Sequence, residues 1–155
     1  MIGLRDNLTK GDFAIINGKI ATDFTLATPV YFSLFGGNFE ADTPIQRRPN
    51  GAENKDWWGN LFEVRNPENR FNSKFERAAY TTPILSGTLR SFEQAAESDL
   101  SWMVEQNIAA SVAAMVTIAA INELKIVIDI IKPDGTTENF SYLFNITKQE
   151  VSSDD

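Results

Sequence analysis

The chain has 155 residues with no cysteine and no histidine, and its formal net charge is −7 at pH 7. The missing residue types exclude disulfides, thiol nucleophiles, histidine bases and the commonest zinc ligands. The acidic balance argues against nucleic-acid binding, which needs clustered cations. The hydrophobic fraction of 43% is ordinary for a globular protein, so we expect one folded domain over residues 1–147 and a polar, flexible tail over residues 148–155.

No segment predicts a membrane span or a secretion signal. The apolar stretch from Ile108 to Ile121 is too short to cross a membrane and is followed by Asn122-Glu123. The segment from Met1 to Asp6 lacks the apolar centre of a signal peptide. We therefore expect neither a membrane nor a nucleic acid among the partners, and we expect no cofactor.

The first predicted element is a small β-hairpin over about Asp12 to Thr22. Asn17-Gly18 lies between two apolar runs, a combination that favours a tight hairpin turn. A short helix is predicted next, from Thr25 to Phe35, with Thr28 as a candidate N-cap. The Gly36-Gly37 pair predicts the end of this helix.

A long polar loop is predicted from Glu40 to Asn60, and it ends in Asp56-Trp57-Trp58-Gly59. Adjacent tryptophans in a loop are suited to anchoring a partner or stacking on a sugar or base. The alternative is that the loop folds back and both rings cover the protein's own core. We take Trp57, Trp58 and Gly59 as candidate partner-binding residues.

Two further helices are predicted. Ser73-Lys74-Phe75-Glu76 has the capping-box pattern of serine at the N-cap and glutamate three residues later, and this helix should end before Pro83. A long amphipathic helix is predicted from Thr88 to Asn107, since asparagine tolerates the left-handed conformation of many helix ends. Its apolar face has intervals of three and four residues: Leu89, Phe92, Ala96, Leu100 and Met103. On the solvated side we place Glu93 and Glu97.

After the long helix, the hydrophobic period changes to two. The segments Leu124–Ile131 and Phe140–Ile146 alternate in polarity and are separated by the turn sequence Lys132-Pro133-Asp134-Gly135, which predicts an antiparallel hairpin. The preceding segment, Ile108–Ile121, is rich in small and β-branched residues and is predicted to be a third strand, with a helical extension as the alternative. As further candidate partner-binding residues we take three aromatic residues of the last strand: Phe140, Tyr142 and Phe144.

These elements predict an α+β fold: an N-terminal β-hairpin, two or three helices, and an antiparallel sheet of about three strands packed on the long amphipathic helix. A sheet of this size leaves unpaired backbone edges, which are able to recruit strands from partners. The sequence therefore suggests an assembly component. Because serine and threonine have no histidine partner and no carboxylate pair stands out, we expect no enzymatic activity.

Taken in order, these features resemble the Mu-like bacteriophage baseplate proteins, the gene product 46 family. The resemblance covers residues 11–147, and the Trp-Trp-Gly loop is close to the family's Gly-Trp-Trp-Gly-Asp. It departs from the family pattern at Asn60, Asn72 and Asn107. The segments that carry it are Gly11-Asp12-Phe13 with Asn17-Gly18, Ser33-Leu34-Phe35, Asp56-Trp57-Trp58-Gly59, Ser73-Lys74-Phe75, Leu100-Ser101-Trp102-Met103-Val104-Glu105 and Pro133-Asp134-Gly135.

The resemblance implies a structural protein of the baseplate of a contractile phage tail, assembled in the host bacterial cytoplasm. It implies a role related to that of the T4-type baseplate wedge component that initiates the sheath. Several copies would form a ring that contacts other wedge proteins, the tail sheath protein and tube or hub proteins. The alternatives are a tail-associated enzyme that degrades cell walls and an adaptor that docks through the Trp57-Trp58 loop.

Overall fold

The computed structural model describes residues 15–16, 19–20, 25–37, 71–148 and 150–153. Within these residues the chain forms three α-helices and two antiparallel sheets, in agreement with the predicted α+β class. The elements in chain order are β1 (Ile15–Ile16), β2 (Lys19–Ile20), α1 (Ala27–Phe35), α2 (Lys74–Thr81), α3 (Leu89–Glu105), β3 (Ser111–Ala120), β4 (Glu123–Ile131), β5 (Thr137–Asn145) and β6 (Glu150–Ser153).

The small N-terminal hairpin is confirmed. Strands β1 and β2 pair antiparallel, with Ile15 opposite Ile20 and Ile16 opposite Lys19. The predicted Asn17-Gly18 turn lies outside the described residues, and so does the predicted loop from Glu40 to Asn60.

Helix α1 begins at side-chain contacts from outside the helix and ends at a glycine. Thr28 is not its N-cap, as the sequence had suggested: Thr28 lies inside the first turn and is buried, and the N-cap position is Leu26. The Leu26 N–H instead donates to Glu138 Oε2 on β5, at 3.0 Å. The predicted end of the helix is confirmed at Gly36, where an added Cβ would stand 2.5 Å from the carbonyl oxygen of Phe32. The next residue, Gly37, has a φ of 120° that favours glycine.

Helix α2 has the predicted serine cap. Ser73 is its N-cap and the Ser73 Oγ accepts a hydrogen bond from the Glu76 N–H, at 3.0 Å. The Ser73 N–H donates to the carbonyl oxygen of Gly37, at 2.9 Å, so the cap also joins α2 to the end of α1. The helix ends at Thr81, two residues before Pro83, as predicted.

Helix α3 is the predicted amphipathic helix, preceded by a 3-10 turn at Ser86–Thr88. Its end is a Schellman motif: the Ile108 N–H donates to the Met103 carbonyl at 2.8 Å and the Asn107 N–H to the Val104 carbonyl at 3.0 Å. Asn107 has the left-handed conformation that the sequence predicted, with a φ of 56°. Because this motif turns the chain away from the helix axis, the alternative of a helical extension is wrong and Ser111–Ala120 forms strand β3.

The main sheet has the strand order β3-β4-β5-β6, and each neighbouring pair is antiparallel. The predicted turn between β4 and β5 is confirmed: the Gly135 N–H donates to the Lys132 carbonyl at 2.9 Å, and Gly135 has a φ of 84°. Asp134 Oδ1 accepts the Thr136 N–H at 2.8 Å, a side-chain contact typical of aspartate in turns.

The sheet contains one strand more than the sequence predicted. Residues 148–155 were expected to form a flexible tail, but Glu150–Ser153 form β6, which pairs along β5 with Val151 opposite Phe144. Val151 is buried in the core, which gives this short polar segment an apolar anchor. A four-residue strand with one buried side chain shows no detectable alternation in the sequence, so the prediction missed it.

The three helices cover one face of this sheet. Alternate side chains of β4 and the apolar face of α3 point into the same core, as predicted, and α2 and α1 close it through Phe75 and Leu34. The fully buried core side chains include Leu34, Phe75, Phe92, Leu100, Met103, Leu124, Ile126, Ile128 and Ile130.

Candidate functional site

Some of the candidate partner-binding residues lie outside the described residues, and the others are partly or fully buried. Trp57, Trp58 and Gly59 lie outside the described residues, so their role stays a prediction. Phe140 is partly buried against the core, whereas Tyr142 and Phe144 are core residues with exposures of only 8% and 2%. The aromatic face of β5 therefore lies against the protein's own helices, and we correct its assignment as a partner-binding surface.

The aromatic side chains of β5 belong to a cluster that joins the sheet to the helices. The ring centroids of Phe35 and Phe144 are 5.4 Å apart, those of Phe35 and Tyr142 are 5.5 Å apart, and those of Phe75 and Phe144 are 6.3 Å apart. Burial raises the pKa of the Tyr142 hydroxyl, and the nearby Tyr31 adds to this effect. Sequence alternation indicated the correct face of β5, but the helices that cover this face are distant in sequence.

A carboxylate on α3 binds the start of α2, and the Ser73 hydroxyl that it contacts also reaches α1. Asp99 Oδ1 accepts the Lys74 N–H at 2.9 Å, and Asp99 Oδ2 accepts the Phe75 N–H at 2.8 Å and the Ser73 hydroxyl at 3.1 Å. The same Ser73 hydroxyl lies 2.6 Å from the carbonyl oxygen of Leu34 in α1. Asp99 thus satisfies orphan donors at the start of α2 and holds that helix against α3.

Burial dominates the electrostatics of this contact. Removal from water raises the pKa of Asp99 to about 6, while the hydrogen bonds from Phe75, Lys74 and Ser73 act in the opposite direction. Asp99 was not among the residues predicted to be important. Its spacing from Ser73 follows from the packing of α2 on α3 and has no local sequence signal.

Among the described residues, three exposed apolar side chains lie along strand β3 and in the turn that follows it, at an edge of the main sheet. Met115, Ile118 and Ile121 have exposures of 59%, 45% and 91%. We call these three side chains, together with the outer backbone edge of β3, the β3 rim. Residues 106–122 contain no charged side chain and no proline. Natural edge strands usually carry such residues, because they prevent unwanted strand pairing.

The β3 rim is the candidate assembly surface. Ile121 occupies the turn between β3 and β4, where a polar residue is more usual. An exposed apolar strand edge is the geometry that recruits an extended segment of another chain. Unpaired sheet edges were predicted from the sequence, but only the strand order shows that β3 lies at an edge. The uncharged run over residues 106–122 is a sequence signal that could have identified this edge, but the sequence-based predictions did not use it.

Other kinds of site have no counterpart among the described residues. The described aspartate and glutamate side chains form no group of three that could hold a metal ion. None of the described helices is long and apolar enough to cross a membrane.

The fold and the rim define an α+β domain with an exposed, uncharged edge strand, the kind of surface found in proteins that assemble with others. The family model described as phage protein GP46 matches residues 26–137, from α1 to the start of β5. The chain therefore belongs to the phage protein GP46 family. No curated protein and no solved structure matches the chain significantly.

Proposed function

We propose that this phage protein is a structural component of the baseplate of a contractile tail. In this role it is a wedge protein, present in several copies around the tube, that contacts neighbouring wedge subunits and the first sheath layer and helps to initiate the sheath. Membership of a phage protein family and the resemblance to Mu-like baseplate proteins support the proposal. The observation that carries it is the β3 rim, an exposed apolar edge suited to assembly.

Strand pairing at the β3 rim provides a mechanism for assembly. In an antiparallel ladder, alternate residues direct their backbone groups toward the neighbouring strand or away from it. The Val116 N–H donates away from β4, to a side chain of α3. The backbone of Ile118, two residues further along β3, therefore also points outward, where an extended segment of a neighbouring subunit is able to pair with it.

Locating the protein in assembled particles tests the proposed function. A C-terminal tag on the protein would be located by electron microscopy on purified tailed particles. We expect the label at the distal end of the tail, where the sheath meets the baseplate, and we expect mass spectrometry to detect several copies per particle. Normal particles that lack both the label and the protein would contradict the proposal.

A pair of proline variants tests the proposed strand-pairing mechanism. Ile118→Pro removes an outward N–H, so we expect it to block incorporation into particles while the monomer stays folded. Thr117→Pro is the matched control: its N–H points toward β4, so this variant should lose a ladder hydrogen bond and unfold more readily. Normal incorporation of folded Ile118→Pro protein would show that strand pairing at this edge is not the mechanism.

The structural role predicts that the protein has no activity on bacterial cell walls. Purified protein added to a suspension of cell walls should leave its turbidity unchanged, with lysozyme as the positive control. A loss of turbidity would favour the alternative of a tail-associated cell-wall-degrading enzyme.

A further inference from the structure

Two glutamates of α3 reach the outer edge of β3. Glu93 Oε1 accepts the Val116 N–H at 3.3 Å, and Glu97 Oε1 accepts the Ala114 N–H at 3.4 Å. These side chains were expected to be solvated, so their contact with the strand corrects the prediction. The other oxygen of Glu93 is 3.0 Å from Arg90 Nη1, which holds the carboxylate in place.

The spacing of the two glutamates matches the spacing of the outward amides. Four residues of an α-helix span about 6 Å, and two residues of a strand span about 6.8 Å. Helix α3 runs antiparallel to β3, since the earlier glutamate contacts the later strand residue. Successive turns of the helix therefore present acceptors to successive outward N–H groups of the edge.

We propose that Glu93 and Glu97 cap the β3 edge and thereby prevent two copies of this chain from pairing edge to edge through β3. A second copy is the occupant that the strand itself favours: β3 is ten residues long and uncharged, so two antiparallel copies meet no charge repulsion along the paired strands. Such pairing needs the outward amides of Ala114 and Val116, and the glutamates already occupy both.

The proposed capping of the β3 edge by Glu93 and Glu97 does not depend on the proposed baseplate function. It acts within one folded chain, and its loss is measurable on purified protein in the absence of phage. The two N–H···O distances lie above the usual range of 2.7–3.2 Å. A strand that pairs continuously with β3 is therefore able to displace the carboxylates, whereas a strand that contacts β3 only transiently is not.

The experiment measures self-association by sedimentation velocity over a range of protein concentrations. We expect the double variant Glu93→Ala/Glu97→Ala to associate at least about tenfold more tightly than the unaltered chain, because two backbone donors become available for pairing. Glu105→Ala, at the exposed last residue of the same helix, is the matched control and should behave like the unaltered chain.

Two further variants separate the proposed cap from a general loss of charge or of folding. Glu93→Gln/Glu97→Gln keeps an acceptor oxygen at each position and should remain monomeric. Adding Ile118→Pro to the double alanine variant removes an outward amide and should reduce self-association again. Circular dichroism verifies that each variant is folded.

The possible results are distinguishable. Self-association of the alanine variant that the proline reverses, with a monomeric glutamine variant, supports the proposal. A folded alanine variant that stays monomeric overturns it. A glutamine variant that associates as strongly as the alanine variant also overturns it, because net charge and not occupancy of the amides would then control association.

Discussion

The apolar residues of the main sheet differ in burial between its two faces. On the inner face, Ile126 and Ile128 are fully buried beneath the helices. On the outer face, Val127 of β4 is half-buried and Met115 of β3 is exposed. Alternation along each strand separates the faces, but the packing of α1, α2 and α3 decides which face becomes the core.

Apolar side chains therefore have two different roles in this protein. Apolar side chains on the inner face stabilise the fold, because the helices remove them from water. Exposed ones at the β3 rim contribute little to folding and remain available for contacts with other chains. Variants on the two surfaces should therefore separate stability from assembly.

The largest expected effect is on the inner face. Ile128→Ala should lower the free energy of unfolding by about 2–5 kcal/mol, because it leaves a cavity in a closely packed core. Val127→Ala, on the adjacent residue but the outer face, should have a clearly smaller effect. Chemical denaturation of both variants measures the difference, and equal losses would contradict the assignment of the two faces.

The free energy of unfolding should depend on pH through Asp99, which lies in the helix layer above the inner face. Because its pKa is raised to about 6 in the folded protein from 3.8, the folded state binds a proton more readily than the unfolded state. The contribution of Asp99 to the free energy of unfolding should therefore increase by about 2 kcal/mol as the pH falls from 7 to 4.

The difference in stability between the unaltered chain and Asp99→Asn isolates this contribution, because asparagine does not titrate. Denaturation curves at several pH values should show the unaltered chain gaining stability relative to the variant as pH falls. Glu105→Gln, at the exposed end of α3, serves as the control. A difference between the unaltered chain and Asp99→Asn that does not vary with pH would show that burial of Asp99 does not govern its titration.

The smallest effect on stability is expected at the tip of the β3 rim. Ile121 is 91% exposed, so Ile121→Ser should change the free energy of unfolding by no more than about 0.5 kcal/mol. If the rim binds a neighbouring subunit, the same variant should reduce incorporation into particles, measured by mass spectrometry of purified tails. A large loss of stability, or normal incorporation, would contradict the separation of stability from assembly.

Most secondary structure was predictable because its signals are local. The cap at Ser73, the left-handed end at Asn107 and the turn at Gly135 each depend on a few neighbouring residues, and all three are confirmed. Strand β6 was missed because four residues with one buried valine leave no period to detect. Thr28 was assigned wrongly because the contact at the start of α1 comes from Glu138, over a hundred residues later.

The candidate site was less predictable. The uncharged run over residues 106–122 is visible in the sequence, but its position at the sheet edge depends on the strand order. The aromatic residues Tyr142 and Phe144 looked available for binding because the sequence does not show which surface α1 and α2 cover.

By itself, the sequence determined the α+β class, the amphipathic face of α3, and the hairpin of β4 and β5. Helical periodicity, strand periodicity and turn-forming residues are local signals that extend over a few residues. These features can therefore be predicted from a single sequence. Only the tertiary structure decided that Asp99 joins α3 to the start of α2, that Glu93 and Glu97 reach the edge of β3, and that β3 is an edge strand. These features depend on contacts between residues far apart in the chain, and their free energy comes from packing and burial that no local pattern records.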